Sequence, residues 1–235
     1  RLSAFANEML KDIERDTVDM AWNFDDTAKE PTVLPAGYPN LIVNGVTGIS
    51  AGYATNIPPH NLTESLDAAI LVLDKKNVTL DELMKVIKGP DFPTGGIIQG
   101  LDGIKQAYET GKGKIIIRSK IEVEQVKGGK EQIVITEVPY EVVKQNLVKK
   151  IDEIRADKRV DGIVEIRDET SKEGIRVVIE LKKDVNTELI INYLLKNTDL
   201  QVSYGFNMVS IVDRTPKLVG LIDILEAFNN HRIDV

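Results

Sequence analysis

The chain has 235 residues, 42% of them hydrophobic and 29% charged, with a formal net charge of −7; this balance is that of one large globular domain, or a domain with appendages, and not of a disordered chain. It has no cysteine and only two histidines, His60 and His231, which removes disulfides, thiolate catalysis and the usual zinc sites and points to a reducing, intracellular compartment. No apolar run is long enough to span a membrane, residues 1–15 mix charges as no signal peptide does, and the acidic total argues against general adhesion to nucleic acid.

The spacing of Leu2, Phe5, Ala6, Met9, Leu10 and Ile13 predicts an amphipathic helix. Residues 19–40, with Pro31, Pro35 and Pro39, read as an extended loop. Leu41–Val43 is a short buried-strand candidate, Asn44–Gly48 a turn, and Ile49–Ala54 a strand of small residues ended by Pro58-Pro59. Asn61 with Glu64 forms a capping box opening a helix whose inner stripe is Leu62, Leu66, Ala69, Ile70 and Leu73; Thr79 with Glu82 repeats the box. Ile115, Ile117, Ile121 and Val123 alternate with charged residues as a half-buried strand, turning at Gly128-Gly129 into a hairpin with Ile133 and Ile135. A helix carrying Val143, Leu147, Ile151 and Ile154 follows, then a second hairpin from 163–166 to 175–181. Asn186 caps a helix with Leu189, Ile190, Tyr193 and Leu194 inward; Val202, Tyr204, Phe206 and Met208 alternate as a strand; and a closing helix carries Leu218, Leu221, Ile222, Leu225 and Phe228. Helices mixed with antiparallel hairpins predict an α+β fold. The chain starts at Arg1 and stops inside a helical pattern, so it reads as a piece of a longer protein.

Several motifs invite chemistry and have plainer readings. Gly111-Lys112-Gly113-Lys114 lacks the Ser or Thr and the earlier glycine of a phosphate loop, and reads as a basic turn whose lysines are available to phosphates as point charges. From Lys105 to Lys130 seven cations face three carboxylates, a net +4 in an acidic chain. Asn61-Leu62-Thr63 and Asn77-Val78-Thr79 read as helix caps and not glycosylation sites. Glu165, Asp168 and Glu169, beside Arg167 and Lys172, form a solvated charged turn in preference to an acid–base pair. His60 is expected to hold its turn by a hydrogen bond, and no tyrosine has an evident activating basic neighbour. Within Asn44–Thr55 a lone aliphatic, Ile49, stands among small residues. Composition favours a core isoleucine beside a glycine-rich bend; the competing reading is a wedge between base pairs. A protein-interaction scaffold without a nucleic-acid role, and a hydrolase using Glu165, Asp168 or His60, also stay open at this level.

Val33-Leu34-Pro35, Pro39-Asn40-Leu41, Asn44-Gly45, Gly48-Ile49, Ala54–Leu62, Gly89–Thr94, Tyr108–Gly113 and Arg167-Asp168-Glu169 together resemble the A subunit of bacterial type IIA DNA topoisomerases, over the whole chain. Gly48–Tyr53 and Asn23–Asp26 look more like the topoisomerase IV branch of Gram-positive type than like gyrase. The resemblance implies a tower domain at 31–215, preceded at 1–30 by a linking helix and loop and followed at 216–235 by the base of a coiled-coil arm. It implies an intercalating wedge at Ile49, near Thr47, with Lys112, Lys114, Arg118 and Lys120 as the charge-based choices for phosphate contacts. It puts the DNA-cleaving tyrosine just upstream of Arg1, so no catalytic or metal-binding residue is expected in this chain and the fragment alone is expected to be inactive. Magnesium and ATP are expected through the partner B subunit. The implied partners are duplex DNA, the B subunit of topoisomerase IV and a second copy of the A subunit, in an A2B2 assembly that decatenates and relaxes DNA in the cytoplasm on the bacterial chromosome, with peripheral membrane association in some members.

Overall fold

The computed structural model describes residues 2–212 and 214–235. In chain order the elements are α1 (Ala4–Leu10), a 3-10 turn (Ile13–Arg15), β1 (Met20–Trp22), β2 (Lys29–Pro31), α2 (Asn40–Asn44), β3 (Val46–Ser50), β4 (Tyr53–Ile57), α3 (Leu62–Asp74), α4 (Leu80–Val86), β5 (Ile97–Gln99) and α5 (Asp102–Thr110). Then come β6 (Lys112–Arg118), β7 (Lys120–Val126), β8 (Lys130–Glu137), α6 (Lys144–Ala156), β9 (Ile163–Asp168), β10 (Val177–Leu181), α7 (Thr187–Asn197), β11 (Gln201–Asn207), β12 (Val209–Val212), β13 (Thr215–Leu218) and α8 (Leu221–Asp234). The fold is α+β, as the alternation of helical and period-two patterns predicts. Two compact units divide the chain: residues 1–91, 103–113 and 205–235 form the first, and 92–102 with 114–204 the second.

The second unit is built on the antiparallel sheet β7-β8-β10-β9. Its two hairpins fall where the glycine and turn signals put them. Ile133, Ile135, Val177, Ile179 and Leu181 pack against Leu147, Ile151 and Ile154 of α6 and Ile190 and Leu194 of α7 in one buried core. On the other face Val134 and Val178 are also buried, beneath charged neighbours. Arg176 donates twice to Glu124, at 3.1 and 2.9 Å, and Arg167 donates to Glu180 at 3.1 Å. Long side chains thus cover apolar surface with their stems while their heads pair in water.

In the first unit Ser3 caps α1 by accepting the Ala6 N–H, and the helix then breaks at Lys11, shorter than its apolar periodicity predicts. The expected loop at 19–40 contains a hairpin, β1 with β2, in which Pro31 stands at the strand end, where a missing N–H does least harm. Leu41–Val43 is helical, not a strand: three apolar residues do not distinguish a helical turn from a strand by periodicity. The turn expected at 44–48 lies instead at Ala51-Gly52, between paired strands β3 and β4. Asn61 caps α3, accepting the N–H groups of Thr63 and Glu64. Glu64 does not close the box; its carboxylate accepts the Lys88 N–H at 3.2 Å. The face of α3 is also rotated from expectation, with Ser65, Ala68 and Ala69 buried and Ile70 and Leu73 exposed. Small residues there meet α8, where Asn229 donates to the Ala69 carbonyl at 2.9 Å. The Thr79–Glu82 box forms as predicted.

Two further expectations fail for tertiary reasons. The alternation from Ile115 to Val123 is not one strand: Ser119, whose N–H donates to Leu200 O at 2.8 Å, separates β6 from β7, which lie in different sheets. Leu189 is exposed, because α7 turns Ile190 and Leu194 inward.

Candidate nucleic-acid interface

The β3–β4 hairpin is short and small-sided, so little covers its outer residues. Gly52 takes a φ of +82° in the two-residue loop, with nothing within 4 Å of the position a Cβ would occupy. Ile49, paired with Ala54, is 92% exposed. The core reading of Ile49 that composition favours is therefore overturned: its cross-strand partner is Ala54 and its chain neighbours are Gly48 and Ser50, too small to cover it.

The hairpin's base is held where its tip is bare. Gly45, with φ +67°, brings the end of α2 so close to the exit of β4 that a Cβ there would lie 2.5 Å from Ile57 O and 2.7 Å from Pro59 N. Thr47 donates its hydroxyl to Asn56 Oδ1 at 3.0 Å, and Asn56 Nδ2 donates to Gly205 O at 2.7 Å. Asn207 returns the bond, Nδ2 to Ala54 O at 2.6 Å, while the Thr55 hydroxyl donates to Asn207 O at 3.3 Å. Thr47 thus sits on the face of β3 that carries Ile49 and ties that face to β4. Side-chain amides in this way supplement the strand pairing of Asn56 with Asn207 between β4 and β11. A groove of about 310 Å³ runs beside Ile49, lined also by Tyr53, Val209, Ile211 and Pro216.

The basic residues divide. Lys112 belongs to the first unit, with Ile49 and Thr47; Lys114, Arg118 and Lys120 belong to the second. Lys112, Lys114 and Arg118 are exposed at alternate positions of β6, and the pleat puts alternate residues on one face. Arg118 Nε donates to Gln201 Oε1 at 2.5 Å, and Lys120 is 3.9 Å from both Glu122 and Glu137. The glycines of the 111–114 turn serve packing: a Cβ on Gly111 would meet Val219 O at 2.6 Å, and one on Gly113 would meet Gly103 O at 2.4 Å.

The acidic turn is ion-paired, as its composition implied. Arg167 lies 3.6 Å from Glu165 and 3.1 Å from Glu169, and Lys144 is 2.7 Å from Asp168. The Lys144 ammonium holds the Asp168 carboxyl below its ordinary pKa. Among the described residues no cluster of three or more His, Cys, Asp or Glu is placed to hold a metal ion, and no helix is long and apolar enough to cross a membrane.

His60 and Tyr108 depart from expectation. His60 is buried, and its bonds reach far beyond its own turn. Ile42 O only accepts, so Nδ1 carries the proton and donates to it at 3.0 Å. Nε2 is then the acceptor for the Tyr108 hydroxyl at 2.8 Å. Tyr108 does have a basic neighbour, invisible at a separation of 48 residues, but burial raises its pKa and keeps the phenol protonated. Burial likewise lowers His60 to a pKa of about 4, and the imidazole is neutral at pH 7.

The hairpin thus presents the bare aliphatic side chain of Ile49 from a base tied by hydrogen bonds, on an α+β scaffold whose acidic turn is ion-paired. The chain belongs to the A-subunit family of DNA gyrase/topoisomerase IV, which it matches over residues 1–235. It is 61% identical to the A subunit of DNA topoisomerase 4 from Streptococcus pneumoniae serotype 4 and 63% identical to that from Bacillus subtilis, over all 235 residues in both comparisons. The corresponding protein of Staphylococcus epidermidis is 59% identical over the same length. The chain spans 29% of the length of each of these relatives.

Proposed function

We propose that this chain is the DNA-binding and DNA-bending tower segment, residues 31–215, of a topoisomerase IV A subunit, with Ile49 as the wedge that pries stacked base pairs apart. The observation that carries the reading is the near-complete exposure of Ile49 on a hairpin whose base is tied by Asn56 and Asn207. So exposed, Ile49 contributes little buried surface to folding, and apolar side chains inserted between base steps unstack and kink a duplex. Unstacking costs a few kcal/mol per step, and bending a site by tens of degrees about 1–6 kcal/mol more. Phosphate contacts offset that cost; Lys112, Lys114, Arg118 and Lys120 supply them, with Thr47 beside the wedge.

In this reading the whole protein is a type IIA topoisomerase. It cleaves both strands of one duplex, passes another through and reseals the first, working in an A2B2 assembly with its B subunit, on the chromosome in the cytoplasm. The cleaving tyrosine lies upstream of Arg1, and ATP and magnesium belong to the B subunit. The chain alone neither relaxes nor nicks DNA.

Titration with duplex DNA at two salt concentrations tests the binding half of the proposal. Phosphate neutralisation gives log K falling steeply with log salt, and a flat response returns the chain to the class of protein-interaction scaffolds. A covalent DNA adduct on the 235-residue chain contradicts the assignment of cleavage elsewhere.

A further inference from the structure

We infer that His60 and Tyr108 are positioning residues for the Ile49 wedge, their buried hydrogen-bonded pair clamping the root of the β3–β4 hairpin to α2 and α5. This rests on the wedge reading above. A side chain that unstacks bases is pushed back by the duplex, and the hairpin has β11 beside β4, paired at Asn56 and Asn207, to brace it. Resistance to that push is concentrated towards the root, because Ile49 is 92% exposed and Gly52 has open space around it.

The root is where His60 sits. It follows β4 by the two prolines Pro58 and Pro59, and its backbone N–H donates to Val43 O at 3.3 Å. Its ring bonds the neighbouring carbonyl, Ile42 O, so one residue grips the end of α2 twice, immediately before Gly45 and β3. Tyr108 holds the other side of the ring from α5. Tyr108 also packs edge-on against Phe206, with centroids 6.5 Å apart and planes at 86°. Phe206 lies between Gly205 and Asn207, the residues that bond Asn56 and Ala54 of β4. The connections therefore close a circuit within the first unit, from α2 through His60, Tyr108 and Phe206 to β4 and back along the hairpin.

An apolar pair would fill the same space. Two directional bonds to one imidazole also fix the angle at which the hairpin leaves the body, and in a low-dielectric interior they resist rotation strongly. Because burial keeps the ring neutral, Nε2 remains an acceptor across the neutral range.

The test is made on the full-length protein with a duplex labelled at both ends, reading bending by fluorescence transfer, binding by anisotropy and folding by thermal melting. Tyr108→Phe removes only the hydroxyl; the bent-to-straight ratio is expected to fall roughly three- to tenfold, the worth of about one buried hydrogen bond, with DNA affinity held by the phosphate contacts. His60→Leu is expected to do the same, and His60→Gln, which keeps an amide donor for Ile42 and an oxygen acceptor for Tyr108, to restore bending. Unchanged bending in Tyr108→Phe and His60→Leu, with bending lost in Ile49→Ala, overturns the positioning role and leaves the wedge standing. Parallel losses of bending, affinity and melting temperature in all three pair variants also overturn it, as a general effect on folding. Bending unchanged in Ile49→Ala removes the wedge itself, and this inference with it.

Discussion

Under the proposed wedge role, replacing Ile49 by alanine separates the work of folding from the work of bending. The side chain is 92% exposed, so truncation gives up almost no buried surface and the melting free energy should change by less than about 0.5 kcal/mol. Between two base pairs the same side chain is covered on both sides. Truncation removes Cγ1, Cγ2 and Cδ1, each contributing about 0.8 kcal/mol on burial, so roughly 2 kcal/mol of wedge stabilisation is lost. At about 1.4 kcal/mol per factor of ten, the bent-to-straight ratio falls on the order of 30-fold. Binding falls far less, since phosphate contacts remain. Fluorescence transfer across a doubly labelled duplex reads the first quantity and anisotropy the second. An unchanged transfer efficiency, or a melting temperature that drops in step with it, refutes the reasoning.

Other outcomes follow from the same geometry. Gly45→Ala combines a φ of +67° with a Cβ 2.5 Å from Ile57 O and should destabilise by about 2 kcal/mol or more. Gly52→Ala shares the positive φ but meets open space and should cost about 1 kcal/mol; the reverse order in urea melts contradicts the packing described at the root. His60 has its folded pKa lowered to about 4 from an ordinary 6.5, by burial against the opposing influence of backbone hydrogen bonds at Ile42 and Pro58 and of Asp91. The unfolded chain therefore binds this proton first as pH falls. The associated stability is complete above pH 6.5 and is lost progressively between 6.5 and 4, by up to about 3 kcal/mol. His60→Gln should flatten that part of the stability curve, and an unchanged slope tells against a neutral buried ring. Lys112→Ala and Lys114→Ala should each lower the salt slope of DNA binding by about 0.9. Lys130→Ala, whose ammonium lies 3.5 Å from Glu180, should leave it unaltered; equal effects of all three would deny β6 its special role.

Much of the second unit is legible residue by residue. The glycine pair at 128–129, the period-two runs through Ile133 and Ile179, and the Asn186 cap are signals confined to a few neighbouring residues, and each produces the element it predicts. The first unit is less legible where runs are short. Leu41–Val43 is one turn of helix because Gly45 must deliver the chain against Ile57 and Pro59, a constraint absent from the three residues themselves. Ser119 breaks an unbroken alternation because its N–H is taken by Leu200, 81 residues on.

The candidate site shows the same division. The small residues around Ile49 are written in the sequence, and they set a tight hairpin with few atoms to cover its neighbours. Whether that isoleucine faces a core or solvent is decided only when the surrounding elements take their places, since exposure is a property of what fails to pack against a residue. Asn56, Asn207, His60 and Tyr108 carry no local signal, because the bonds His60–Tyr108, Asn56–Gly205 and Asn207–Ala54 join residues 48 to 153 positions apart. Local pattern thus determined α3, α4, α6, α7, the two hairpins of the second unit and the family resemblance, through interactions spanning a few residues. The tertiary structure decided which aliphatic is bare and what holds it, because burial and long-range hydrogen bonds exist only once distant segments meet.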